Sequence, residues 1–147
     1  MKKLFLSFVF VFVLMIGFVY AGDNHIYTNT ITTSSATWVG QTIAASGSLT
    51  SDSFDLNKYT PNGYFAIQFK FTGSGTIALT YTMSNNDSTF ASPTSESGSS
   101  GTIATGLTAG TYLYQFKPET FRYLKIVATE TGTSDDAVVS EAILSTQ

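Results

Sequence analysis

One histidine, His25, and ten carboxylates are the groups from which acid–base or metal chemistry would have to be built in this 147-residue chain, because cysteine is absent. A hydrolytic triad needs an imidazole as its base. His25 stands close to the expected mature N-terminus, where chains fray, which sets aside Ser-His-Asp and most zinc chemistry. Glycoside cleavage needs only two facing carboxylates. The available set is Asp52, Asp55, Glu119, Glu130, Asp135, Asp136 and Glu141, and each reads as a turn or a solvated strand edge. No acid, base and cleft can be assembled from them. The expectation is a protein that is not an enzyme, with no catalytic residue and no cofactor.

Metal binding is weighed on the same residues. Three turns are rich in oxygen: "SDSFDLN" with Asp52, Asp55 and Asn57, "SNNDS" with Asn85, Asn86 and Asp87, and "TSDD" with Asp135 and Asp136. Calcium takes six to eight oxygens. None of the three has the spacing of a loop that supplies them, and Asx residues in turns ordinarily bond their own backbone. Cleavage after Gly22 would create Asp23-Asn24-His25, a terminus suited to Cu(II) or Ni(II). Tyr20 at the −3 position disfavours that cut. No metal site is expected. "NDS" at Asn86 is also a glycosylation sequon.

A sugar-binding face would need exposed rings. The single tryptophan, Trp38, points inward by alternation, so Tyr59, Tyr64, Tyr112 and Tyr114, together with Tyr27, are the candidates for glycan contact.

Whatever these residues do, the N-terminus places them outside the cell. "MKK" is a short positive region, "LFLSFVFVFVLMIGFVY" an unbroken apolar stretch, and "VYA" a small-residue cleavage pattern. Residues 1–21 are read as a signal-peptide helix cut after Ala21, and residues 22–147 as one domain. The rival, an uncleaved anchor, lacks a positive flank, and Asp23 follows almost at once. Losing Lys2 and Lys3 leaves five basic residues against ten acidic ones, a net charge of about −5. With no basic cluster, neither nucleic acid nor, once the signal is gone, a membrane is an expected partner. About 126 residues without a disulfide must rely on a packed core, and a chain of that length buries roughly two-thirds of its unfolded surface.

The elements that build this core alternate with a period of two. In "YFAIQFKFTGSGTIALTYTM", Phe65, Ile67, Phe69 and Phe71 share a face, as do Ile77, Leu79, Tyr81 and Met83, leaving Thr76, Ala78, Thr80 and Thr82 opposite. The stretch reads as a hairpin, with Gly73 and Gly75 at positive φ in its turn. "HIYTNTIT", "ATWVGQTIA", "SDSFDL", "TYLYQF", "FRYLKIVATE" and "DAVVSEAILS" read as further strands, separated by "TPNG", "SNNDS", "TAGT", "KPET" and "TGTSDD". "SPTSESGSSGT", residues 92–102, reads as a mobile Ser/Gly-rich loop. No helical period follows residue 22. The predicted fold is all-β: a single antiparallel β-sandwich, jelly-roll or Ig-like.

The stretch "GYFAIQFKFTGSGTIALTYTMSNNDSTF" resembles a sandwich module of phage virion and other surface proteins, in which an "sIQ" strand, a "tGtGt" turn and an "SNDG"-like turn succeed one another. "FKPETFRYLKIVATET" is similar to a strand of those modules and, more distantly, of discoidin-like jelly rolls, where the triplet Phe121, Arg122, Tyr123 leads into "LKI". The likeness spans roughly Ser48 to Leu144. It implies the sandwich fold; export sets the chain apart from virion subunits, which assemble inside the cell.

Two roles are therefore expected. The first is an exported structural protein, part of or attached to an extracellular filament, sheath or surface layer. Its partner would be copies of itself or another surface protein, engaged through strand edges. The segment from Ile26 to Gly40, poor in charge, supplies the assembly candidates Ile26, Tyr27, Ile31 and Trp38. The alternative is a monomeric glycan-binding module.

Overall fold

The computed structural model describes residues 27–33, 36–58, 64–94, 101–117 and 121–146; the expected signal helix lies outside them, as do the "TPNG" turn and the interiors of the 92–102 loop and the "KPET" turn. The described chain is built of antiparallel strands: β1 (Tyr27–Thr30), β2 (Thr32–Thr33), β3 (Ala36–Thr37), β4 (Thr42–Ile43), β5 (Ser48–Thr50), β6 (Phe54–Asp55), β7 (Phe65–Gly73), β8 (Ile77–Ser84), β9 (Thr102–Leu107), β10 (Gly110–Phe116), β11 (Tyr123–Glu130) and β12 (Ala137–Thr146), with one short 3₁₀ turn at Leu56–Lys58. Two five-stranded sheets form. The first runs β1-β12-β7-β10 with β4 also on β12, and the second runs β5-β11-β8-β9 with β6 also on β11.

Alternation explains why both sheets are amphipathic. Phe65, Ile67, Phe69 and Phe71 of β7 are buried, as are Ile77, Leu79, Tyr81 and Met83 of β8 and Leu124, Ile126 and Ala128 of β11. These inward faces meet in one core, which makes the arrangement sandwich-like. In β12 the inward phase changes from Ala137 and Val139 to Ala142 and Leu144, because a bulge between Val139 and Glu141 inserts one residue into its pairing with β7.

The pairing of β7 and β8 corrects the hairpin expectation. β7 bonds to β12 and β10, and β8 bonds to β11 and β9, so the two strands lie in opposite sheets and face each other across the core. The connection is an arch. Both designs bury the same side chains, so alternation does not separate them. Gly73 has φ +107°, as expected, but Gly75 is absent from the positive-φ positions. Gly75 is needed for room instead: a Cβ there would stand 3.0 Å from the Asp136 carbonyl carbon and 3.1 Å from Glu130 Cγ.

One side of the sandwich is plugged by the β2–β3 hairpin. Ile31 and Trp38, at its base, are both fully buried, and the Trp38 ring meets Phe69 edge-on at 6.4 Å. Asp52 N–H donates to Thr32 O at 2.7 Å and Thr32 Oγ1 donates to Asp52 Oδ2 at 2.9 Å, tying the hairpin to the second sheet. The opposite side is closed by the β9-to-β10 turn and by rings on β10. Tyr112 stacks on Phe71 at 6.3 Å and on Tyr114 at 6.1 Å, and Phe116 packs on Phe65 at 5.6 Å and Tyr81 at 5.5 Å.

Candidate functional site: carboxylates, tyrosines and sheet edges

The carboxylates are spread over the fold rather than gathered. Glu130 is the notable one, because it is in phase with Leu124, Ile126 and Ala128 and is only 1% exposed, not on the solvated edge expected of it. Its Oε1 accepts from Thr76 N–H at 2.9 Å and Gly132 N–H at 2.8 Å, and its Oε2 from Ser46 N–H at 3.0 Å. These backbone donors hold its carboxyl below the ordinary glutamate range, Thr76 contributing most and burial opposing. Glu130 thus fastens three loops at one end of the sandwich, each of its oxygens accepting from a backbone donor. Asp136 Oδ1 adds a fourth contact there, accepting from Ala45 N–H at 3.1 Å.

Asp55 and Glu141 make local contacts. Asp55 Oδ1 accepts from Asn57 N–H at 3.2 Å, and its Oδ2 lies 3.6 Å from Arg122 at the other end of β11. The aromatic-basic-aromatic triplet thereby anchors β6, helped by Leu56 N–H donating to Arg122 O at 2.8 Å. Asn86 Oδ1 accepts from Ser84 Oγ, Ser88 N–H and Thr89 N–H, an Asx turn closed on itself. Gln68 Nε2 donates to Glu141 Oε1 at 2.8 Å on an outer face. Among the described residues no three His, Cys, Asp or Glu side chains converge as a metal cluster would. His25 and Glu119 lie outside those residues.

Among the described residues the tyrosines do not form one platform. Tyr64 is 54% exposed, with Lys117 Nζ 5.3 Å from its ring centre. Tyr112 and Tyr114 are half-buried on the inward face of β10, and Tyr112 Oη donates to Thr108 O at 2.7 Å. Because Phe65 points inward, its neighbour Tyr64 belongs to the outer side, opposite to Tyr112 and Tyr114. Tyr59 and Ile26 lie outside the described residues. Of the other assembly candidates, Tyr27 pairs with Thr146 of its own chain, and Ile31 and Trp38 belong to the core.

Strand addition is open to the outer strands of the two sheets, β1 with Tyr27 among them. Three of these four edges are interrupted. Along β12, β1 and β4 are separated by the β2–β3 excursion. Along β11, β5 and β6 are separated at Ser51, whose Oγ replaces a backbone acceptor by receiving Ile126 N–H at 2.9 Å. β9 carries two register shifts against β8 within six residues. β10 is different. It pairs with β7 in unbroken register over all seven residues, Gly110 to Phe116, and no described strand pairs with its other side. It contains no proline and no charge, and its central residue, Leu113, is 69% exposed. Bulges, breaks and charges are the usual protection of an edge, and β10 has none of them. Alternation in "TYLYQF" already puts Leu113 on the face away from Tyr112, Tyr114 and Phe116, and that was the available signal in the sequence.

No family model matches the chain, and no curated protein is similar to it.

Proposed function

We propose that this protein is an exported, non-catalytic structural protein that assembles through a strand edge into, or onto, an extracellular filament, sheath or surface layer. The observation that carries the reading is the intact, uncharged outer edge of β10 in a fold whose other edges are interrupted. The sequence reading of residues 1–21 as a cleaved signal supports export. The strand orders support the jelly-roll side of the expected sandwich: eight principal strands divide between two sheets so that β7 to β8, β9 to β10, and β11 to β12 each cross from one sheet to the other. That arrangement is also what the resemblance to virion and discoidin-like modules implies.

The test is to secrete the full chain from an expression host, establish its N-terminus by mass spectrometry, and follow the product by sedimentation velocity and negative-stain electron microscopy over a range of concentrations. Filaments, sheets or discrete oligomers are expected, on a chain beginning at Gly22. Single compact particles at every concentration would overturn the assembly reading and favour a glycan-binding module, for which Tyr64 is the exposed candidate ring among the described residues.

A further inference from the structure

We infer that β10 pairs antiparallel with β10 of a second copy, about a two-fold axis through Leu113, so that the two β10-bearing sheets become one. The inference rests on the assembly reading and names its contact. Leu113 is the midpoint of β10, with three strand residues on either side. Reading outward from it gives tyrosine in both directions, Tyr112 and Tyr114, and then a polar residue in both directions, Thr111 and Gln115. An antiparallel register centred on Leu113 therefore sets Leu113 against Leu113 of the second copy, Tyr112 against Tyr114, and Thr111 against Gln115. The strand is complementary to itself, as an isologous interface requires.

The rows from Thr111 to Gln115 are compatible in the joined sheet. On the outer face, Leu113 lies beside Gln68 of β7, so the central row would run Gln68, Leu113, Leu113, Gln68 across the axis. The most exposed large hydrophobic side chain among the described residues would be covered by its own copy. On the inner face, the Tyr112 and Tyr114 rings, parallel within 8°, would meet Tyr114 and Tyr112 of the second copy, an aromatic cross-strand pair on each side of the axis. Charge does not oppose the register. Lys70 lies beside Thr111 and would see Gln115 of the second copy, not another lysine, and Lys117 falls beyond the seven paired residues. A second copy is favoured over an unrelated strand because the pattern from Thr111 to Gln115 is symmetric about its own centre and β10 offers no charge for an oppositely charged partner to read.

The absence of cysteine makes the test clean. Directly opposed residues of an antiparallel pair have Cα atoms about 4.5–5.5 Å apart, inside the roughly 4.4–6.8 Å that a disulfide spans. Leu113→Cys in the secreted full chain is expected to oxidise to a covalent dimer at least tenfold faster than Ser88→Cys, whose residue is exposed in a distant turn. Leu113→Lys, at a site already exposed, is expected to keep the thermal midpoint of the isolated domain while weakening association tenfold or more, since two ammonium groups would face each other. If the wild type associates but Leu113→Cys oxidises no faster than the control and Leu113→Lys associates normally, the β10 axis is wrong and assembly uses another surface. If the wild type is monomeric at every concentration and neither cysteine variant dimerises preferentially, both the axis and the assembly reading fall.

Discussion

Replacing Ser51 by alanine removes one oxygen atom and tests how the second sheet tolerates an interrupted edge. Ser51 is 3% exposed, its N–H donates to Ile126 O at 2.9 Å, and its Oγ accepts from Ile126 N–H at 2.9 Å while donating to Asp52 O at 2.8 Å. The hydroxyl stands where the carbonyl of an uninterrupted strand would be. Without it, the N–H of fully buried Ile126 has no acceptor, which costs about 1–3 kcal/mol, and the lost bond to Asp52 adds up to about 1 kcal/mol. A destabilisation near 2–3 kcal/mol is therefore expected. For a domain of this size that lowers Tm by roughly 6–15 °C. Urea unfolding should show a reduced midpoint with an unchanged slope, because the surface exposed on unfolding is the same. Ser48→Ala, on the exposed face of β5, is the control and should stay within about 0.5 kcal/mol. If Ser51→Ala also stayed within that margin, the hydroxyl would not be the acceptor on which Ile126 depends.

Glu130→Gln should lower Tm by several degrees at neutral pH, since the amide –NH₂ would confront a backbone N–H now bound by a carboxylate oxygen. Because the folded pKa of Glu130 lies below its unfolded value, the unfolded chain binds more protons between the two. The stabilisation is complete above the ordinary glutamate value of about 4.3 and is lost as pH falls through the lower folded value, so acid titration of Tm should be shallower in the variant. Gly73→Ala places a Cβ against the Asp136 carbonyl at φ +107° and should cost about 2–4 kcal/mol by urea unfolding. Trp38 Nε1–H is buried without a partner, so Trp38→Phe, which removes it, should cost less than about 1.5 kcal/mol, whereas Trp38→Ala should cost about 3–5 kcal/mol.

The faces of this fold were legible in the sequence, and its pairings were not. A period of two says which side chains of β7, β8 and β11 are inward, and those of Phe65–Phe71 and Ile77–Met83 are buried as read. It does not say which strand lies alongside, because a hairpin and an arch bury the same atoms. The difference sits in Gly75, where Asp136 and Glu130, more than fifty residues away in sequence, leave no room for a Cβ. β9 was missed for a related reason. Its bulges spoil the alternation of "TIATGL", so the strand merges with the Ser/Gly-rich stretch before it. The burial of Glu130 is legible in the alternation, because it keeps the phase of Leu124, Ile126 and Ala128, but a carboxylate is buried only where donors meet it, and those come from distant loops.

The threonine-rich face and Leu113 illustrate why exposure alone is a poor guide to function. Thr80 lies between Thr102 and Val127 in the second sheet, and Val127 pairs onward with Thr50, giving a row of β-branched residues across four strands. Threonine there has a local account: its branched Cβ favours the pleated backbone and suits packing against the neighbouring strand. Leu113 has no such account. It has no β-branch to favour a strand, its side chain gains nothing from being 69% exposed, and a lysine or threonine at the same place would serve solubility and edge protection better. An uncharged leucine at the centre of the one uninterrupted edge among the described strands is a cost to an isolated molecule. It becomes a benefit if another β10 covers it, as the proposed two-fold pairing would do.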